Sequence, residues 1–321
     1  MPIDVSALQS RSKLLFEIPL KPVQGHRFQP TGFPDLGAAT FDTKEGRCLL
    51  VESAQSMANR LEAVCWDEAK QAIVNELMGL SYVRVVEQSG QFLTSSILEA
   101  HRLNSVYIER SNKDEFFDML KKELGLAKDR PISRATFVRG VFKYDVGSLV
   151  HGVFLESIDG RLRIARALTA FIEAEGVEIV ASGGVKNDLV RPGTEKAGGE
   201  KKTAKEGFGN VPFHRDEYAA KRISLFASLD IAQVRGYGLE QEATDVLVLL
   251  SLYKLRALLD RGLRLRTACD FQVDADAVHA SSLDFMLPPL EEIAAMLRPA
   301  IAKCKGQFAK NDGVTTVTYA G

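Results

Sequence analysis

The residue types that carry catalysis are present in this chain, but their spacing does not assemble them. Five histidines stand at 26, 101, 151, 214 and 279, and no two share helical ligand spacing. Neither HExxH nor a Cys/His cluster occurs, so the sequence offers no zinc motif. GxSxG is missing, and no Ser and His are arranged as nucleophile and base. Gly193 to Gly198 has the gap of a phosphate-binding loop, but Gly199-Glu200 follows where Lys and Ser/Thr belong. Gly236-x-Gly238 lacks the third glycine of a dinucleotide fingerprint. The adjacent acids Asp216-Glu217 and Glu291-Glu292 do not converge on one substrate and read as solvated faces. Cys48, Cys65, Cys269 and Cys304 form no CxxC pair and read as small thiols in a reducing compartment. The expectation is a protein with no catalytic centre, no metal and no cofactor.

Binding chemistry is better represented. Lys205 to Phe213 reads KEGFGNVPF. Gly207, Phe208, Gly209, Val211 and Phe213 fall in register with the RNP1 strand of RNA-recognition sheets. Glu206 replaces the cation, Asn210 replaces an aromatic, and Pro212 cannot donate within a central strand. A glycine-hinged loop with Phe208 as a stacking aromatic is one reading, and a plain turn with Phe208 in the core is the other. Basic residues gather around this loop: Lys186, Arg191, Lys196, Lys201, Lys202 and Lys205, then His214, Arg215, Lys221 and Arg222. Interleaved acids leave a modest positive excess. A second basic set is Arg134, Arg139 and Lys143, interleaved with Phe137 and Phe142. Read as a strand, Arg139 and Lys143 share a face that either tracks a phosphate chain or protects a sheet edge with charge.

The elements that must position these residues follow from hydrophobic periodicity. Lys13–Leu20 reads as a first strand, and a turn-rich stretch from Gln24 to Gly37, holding His26 and Arg27, follows it. Cys48–Trp66 reads as one helix, because Leu50, Ala54, Met57, Leu61 and Val64 draw a stripe. Gln55, Ser56, Asn59 and Arg60 lie on its polar face. Tyr82–Glu87 reads as a strand, while Leu98–Arg110 and Asp114–Leu124 read as helices. Thr136–Tyr144 and Ser148–Glu156 read as extended, Arg161–Glu175 as a helix and Val177–Ala181 as a strand, which makes Leu149–Ala181 a strand-helix-strand unit. Ser182–Asn210 holds seven glycines and reads as a mobile arm or hairpin. Ile223–Gln233 and Leu263–Val273 read as strands, Glu242–Arg261 as the best-patterned helix, Pro288–Ala302 as another helix and Val314–Tyr319 as a short last strand. The fold class expected is α+β, with an antiparallel or split sheet carrying helices on one face.

Composition sets the outer limits. The 321 residues are 45% hydrophobic and 26% charged, which excludes wholesale disorder. Forty-one Lys+Arg against 42 Asp+Glu give a net charge of -1, so any nucleic-acid reading rests on where charge is placed. The N-terminal stretch lacks the pattern of a secretory signal, and no apolar run approaches membrane-spanning length. A cytoplasmic protein with no membrane partner is expected.

Four segments in order carry a resemblance: Leu49–Glu62 (LLVESAQSMANRLE), Ser96–Leu103 (SILEAHRL), Asp145–Gly152 (DVGSLVHG) and Gly207–Arg215 (GFGNVPFHR). Together they resemble the backbone subunit of the type I-G (formerly I-U) Cascade complex, within the CRISPR-associated RAMP superfamily. The resemblance implies a ferredoxin-like (RRM-like) palm with large finger and thumb insertions, one elaborated domain over 1–321 with inserts at about 21–47 and 182–222. It implies a non-catalytic, oligomeric subunit whose partners are CRISPR RNA, target DNA reached through the guide, copies of itself and other Cascade subunits. Either Gln24–Gly37 or Lys186–Asn210 would serve as the thumb. The polar helix face, Arg134, Arg139 and Lys143, then Lys186, Arg191, Lys201, Lys202, Lys205, His214, Arg215 and Arg222, with His26, Arg27 and Phe208, are then the candidate RNA contacts. Two enzymatic alternatives stand beside this. One is a metal-dependent ribonuclease using Asp35 or Asp42, and the other a processing endonuclease with His26 or His151 as general base.

Overall fold

The structure, a computed structural model, describes residues 8, 10–33, 35, 37–111, 115–124, 131–156, 158, 160, 162–186, 211–280, 285–309 and 312–319. In chain order the first strands are β1 (Lys13–Pro22), β2 (Gly32–Phe33), β3 (Gly37–Ala38), β4 (Thr40–Thr43) and β5 (Gly46–Glu52), followed by helix α1 (Ala54–Ala63). Next come β6 (Trp66–Asp67), β7 (Ala72–Ile73), β8 (Tyr82–Val86), β9 (Phe92–Ser95), a 3-10 turn at Arg102–Asn104, and helices α2 (Val106–Glu109), α3 (Glu115–Glu123), α4 (Arg134–Tyr144) and α5 (Val146–His151). The chain continues through β10 (Val153–Leu155), β11 (Leu162–Ile164), β12 (Leu168–Glu175), β13 (Glu178–Lys186), β14 (Val211–Ala219) and β15 (Arg222–Asp230). It ends with α6 (Ile231–Arg235), α7 (Gln241–Arg261), β16 (Leu263–Arg266), β17 (Cys269–Val273), α8 (Leu290–Lys303) and β18 (Val314–Thr318).

Seven strands form the main sheet in the order β16-β17-β1-β15-β12-β5-β4, and each pairing is antiparallel. One face is covered, as period-two burial shows. In β1, Leu14, Phe16, Ile18 and Leu20 are buried, and in β12 Leu168, Ala170, Ile172 and Ala174. Helix α7 has 15 buried residues out of 21, so it is enclosed on nearly all sides rather than amphipathic. It packs against α8, α1 and α5, while α1 lies on β12. Among the described residues no helix is long and apolar enough to cross a membrane. The α+β class expected from the sequence holds.

Several expected elements do not. Arg161–Glu175 is β11 and β12, not a helix, so no strand-helix-strand unit spans Leu149–Ala181. Ala and Glu favour a helix there, but β12 has a neighbour on each side, β15 and β5, and its alternation serves the sheet. Thr136–Tyr144 is helical, within α4. Ser133 caps it by accepting from the Thr136 N–H at 3.3 Å, and Phe137, Val138, Val141 and Phe142 form its buried face. Arg139 and Lys143 are therefore one helical turn apart and not strand neighbours. Cys48–Trp66 divides at Ser53, which ends β5 and caps α1. Ser148–Glu156 divides into α5 and β10, and Leu98–Arg110 holds only the 3-10 turn and α2.

A buried charge cluster ties the segment between β5 and β12 to α7. The Glu62 carboxylate accepts from Arg102 Nε and Nη2, both at 2.7 Å, and Arg102 Nη1 donates to Gly152 O at 3.2 Å. Asp145 accepts from Ser148 Oγ at 2.7 Å, and Lys254 of α7 is buried beside them. Burial pushes the Glu62 carboxyl up to about 6, against the pull of Arg102 and Lys254. A buried pair of this kind is costly to break from one side. Arg102→Met should lower stability by about 3–5 kcal/mol, because a buried carboxylate loses its partner, whereas Arg102→Met with Glu62→Leu should cost less. Urea unfolding of the three proteins checks this: a double variant no more stable than Arg102→Met would contradict it.

Candidate nucleic-acid interface

The turn-rich stretch after β1 is held at both flanks. Val23 N–H donates to Asp270 O at 3.0 Å, Phe28 and Tyr218 exchange backbone bonds at 2.8 Å, and Gln29 N–H donates to Ala268 O at 2.8 Å. Phe28 is fully buried and meets the Phe271 ring edge-on, with centroids 5.4 Å apart. Backbone bonds and a buried aromatic thus pin the segment between β14 and the β16–β17 hairpin. His26 and Arg27 stand exposed on it, beside Gly25, whose φ of +68° suits glycine.

The β13–β14 hairpin forms a second wall. Its register sets Val180 opposite Glu217 and Ser182 opposite Arg215, so these side chains share one face. The two strands approach closely at Gly183, where a Cβ would lie 2.5 Å from Phe213 O, so only glycine fits. Phe213 is 51% exposed, and its ring lies against Gly184. The β16–β17 hairpin is the third wall. Leu263 and Leu265 point into the core while Arg264 and Arg266 line the opening. The three walls enclose an open groove of about 830 Å³, with His26, Arg27, Arg215, Arg264 and Arg266 among its lining residues.

Two buried carboxylates organise these arginines. Glu217, 5% exposed, accepts from Arg215 on Oε1 at 2.5 and 2.9 Å and from Arg27 Nε on Oε2 at 3.1 Å. Glu52, 4% exposed, accepts on Oε2 from Arg266 at 2.5 Å and Arg60 at 3.4 Å. Arg60 also donates to Leu265 O at 2.7 Å and to Arg264 O at 3.4 Å, which fastens α1 to the β16–β17 hairpin. Arg264 is exposed and makes no ion pair among the described residues. Four arginines, Arg27, Arg215, Arg264 and Arg266, line the groove with two carboxylates, Glu217 and Asp270, so it carries a local positive excess. Arginines of this kind are able to take phosphate through forked, charge-assisted hydrogen bonds.

The other sequence candidates are dispersed. Gln55 accepts from Arg166, Ser56 is half-buried with its N–H capped by Ser53, and Asn59 is exposed. Arg134 and Arg139 are exposed on α4. Lys143 is paired with Glu123 at 2.5 Å and, with Arg139, lines a separate cavity of about 290 Å³. Arg222 binds Glu175 and Glu17 on the sheet. His214 is exposed on β14, one position from Arg215, and Lys186 closes β13 opposite Val211. Arg191, Lys201, Lys202, Lys205 and Phe208 lie outside the described residues. Sequence reasoning missed Arg264 and Arg266. The alternation Leu263-Arg264-Leu265-Arg266 was the available signal, since it puts two cations on one face of a half-buried strand.

The residues of the enzymatic alternatives are also placed. Asp35 is exposed, and Asp42 on β4 is 80% exposed with Arg47 3.8 Å away. His151 is 1% exposed inside the buried cluster, and neither ring nitrogen has a hydrogen-bond partner, so it cannot reach a substrate as general base. Burial, reinforced by Lys254, Arg102 and Arg166, holds its pKa well below the usual 6.5. The unfolded chain therefore takes up a proton that the folded chain refuses, and stability falls as pH drops below about 6.5. His151→Leu should lose less in thermal midpoint between pH 7.5 and 5.5 than the parent does. Equal losses in the two proteins would remove His151 from the acid response.

Comparison with protein families matches residues 14–179, just over half of the chain, to the family described as CRISPR-associated protein GSU0053. That span contains three of the four segments that carried the resemblance, and the fourth, Gly207–Arg215, lies beyond it. Among solved structures, the chain is similar to one from a "CRISPR RNA-guided surveillance complex, pre-nicking", at 14% identity and a TM-score of 0.38. The match covers 83% of this chain and 76% of that one. A comparison with curated protein sequences gives no match. By the family match, the chain belongs to the CRISPR-associated protein GSU0053 family.

Proposed function

We propose that this chain is a non-catalytic CRISPR RNA-binding backbone subunit. It oligomerises along the guide in a Cascade-type interference complex of the cytoplasm and, with other subunits, presents that guide for pairing with target DNA. The observation that carries this reading is the groove between the pinned loop, the β13–β14 hairpin and the β16–β17 hairpin, with paired arginines along it. Guanidinium forks on phosphates give affinity without reading base sequence, which is what a subunit that must accept any guide requires. Family membership supports the same assignment.

The sheet supports the finer fold reading. We take β1, β12, β15 and β17 as the four strands of a ferredoxin-like palm. Their order in the sheet, β17-β1-β15-β12, is the fourth-first-third-second order of that fold, and α7 joins the third to the fourth. The segments between them are then the inserted finger and thumb elements of a single elaborated domain, with the β13–β14 hairpin as thumb. Asp35 and Asp42 take no part in chemistry on this reading.

Binding of fluorescent single-stranded RNAs of two unrelated sequences, followed by anisotropy over a salt series, tests the proposal. Both should bind with similar affinity, and log K should fall linearly with log salt. Arg27→Ala with Arg215→Ala should weaken both RNAs alike, by about tenfold or more, and flatten the salt slope by about 1–2. Arg139→Ala with Lys143→Ala should do less. The opposite ranking would move the interface to α4, and no binding at low salt would overturn the function. Asp35→Ala and Asp42→Ala should leave binding unchanged and expose no lost RNA cleavage.

A further inference from the structure

We propose that Glu217 and Glu52 are positioning residues for nucleic-acid binding: buried carboxylates that hold the groove-lining Arg27, Arg215 and Arg266 in place, so that removing their negative charge weakens binding to a polyanion. The inference rests on the function proposed above and concerns how the groove achieves it.

The argument begins from a conflict of signs. An acid in a phosphate-binding groove repels the ligand through Coulomb's law, so simple charge counting makes Glu217 and Glu52 liabilities. Yet both carboxylates are hidden while their partners are not. The Glu217 side chain is 5% exposed against 37% for Arg215 and 55% for Arg27, and that of Glu52 is 4% exposed against 27% for Arg266 and 28% for Arg60. Ligand therefore meets guanidinium edges first. Arginine has five N–H donors, and Arg215 spends Nε and one Nη2 donor on Glu217 Oε1, leaving donors free for phosphate. A long side chain fixed in advance loses less conformational freedom when ligand binds. The carboxylate also screens the mutual repulsion of two cations brought side by side.

The two sites differ in a way that makes the inference specific. Glu217 uses both oxygens, one per arginine. A glutamine there keeps one acceptor and turns a donor toward the other arginine. Glu52 serves both arginines through Oε2 alone, so a glutamine can keep that oxygen in place. Glu217→Gln should then be more damaging than Glu52→Gln, although each removes one negative charge.

The test uses the full chain and a labelled oligouridine as probe, in low-salt buffer, with thermal midpoints recorded in parallel. Glu217→Gln should weaken binding about tenfold, and Glu52→Gln by less. In a chain already carrying Arg27→Ala and Arg215→Ala, adding Glu217→Gln should cause no further loss, because it acts only through those arginines. Arg215→Lys provides a readout that leaves net charge unchanged. Lysine has no fork to share between Glu217 and phosphate, so binding should fall severalfold at the same midpoint. Unchanged or tighter binding by Glu217→Gln at a retained midpoint would overturn the inference. If Glu217→Gln does not fold, Arg215→Lys decides: wild-type affinity overturns the inference and weaker binding upholds it. A parent chain that ignores oligouridine altogether would instead strike at the function proposed above, a distinguishable failure.

Discussion

The pairing of Glu62 with Arg102 is the constraint around which the interior is arranged. Two charges have left water, and each needs its partner in a fixed place, because an unpaired buried ion costs more than any single apolar contact returns. Arg102 reaches Glu62 with two parallel bonds and spends a third donor on Gly152 O, just after α5. This ties three pieces of chain, α1, the Arg102–Asn104 turn and the end of α5, at one point against α7. Arg102 adopts a φ of +52° there, a conformation that a non-glycine residue holds only when its surroundings dictate it. Hydrophobic burial supplies most of the stability, but it is non-directional. The ion pair supplies direction, which lets the long segment between β5 and β12 sit in a single register against the sheet.

The groove depends on that seating at one remove. Helix α1 holds Glu62 on the buried side and Arg60 on the side that fastens the β16–β17 hairpin. These residues are two positions apart, about 200° around a helix, so one face docks into the core as the other reaches outward. Helix α1 therefore links the buried cluster to the outer wall of the groove. Glu52, just before the Ser53 cap, completes the link by taking both Arg60 and Arg266.

Much of this was legible in the sequence, and the exceptions have physical causes. Lys13–Leu20 and Glu242–Arg261 read correctly, because the first alternates cleanly and the second is too long and too apolar to be anything but a buried helix. Arg161–Glu175 was misread because Ala and Glu favour helices in isolation, whereas its sheet neighbours come from positions more than a hundred residues apart. Thr136–Tyr144 failed in the opposite sense, since its β-branched and aromatic residues suggested a strand while the Ser133 cap and a helical burial pattern prevailed. Of the groove residues, His26, Arg27 and Arg215 were singled out in the sequence, but as members of different sets. Nothing local brings position 27 beside position 215. Backbone bonds between Phe28 and Tyr218 do that, and they exist only in the folded chain.

Net charge misleads for a related reason. A formal sum of -1 counts Glu52 and Glu217 as equals of any surface acid. In the structure their charge is spent inside, against guanidiniums whose outer edges face the groove. The potential a ligand meets depends on distance and on the dielectric between, and a carboxylate behind an arginine is both farther away and already compensated. A chain can therefore be neutral overall and still present a cationic channel, provided that its acids lie beneath its bases. Such layering also limits indiscriminate attachment. Cations held in fixed pairs favour ligands that match their spacing, whereas a uniformly basic surface attracts any polyanion. On the function proposed above, which asks for one continuous strand and not every nucleic acid, hidden acids beneath paired arginines are a more selective solution than added lysines.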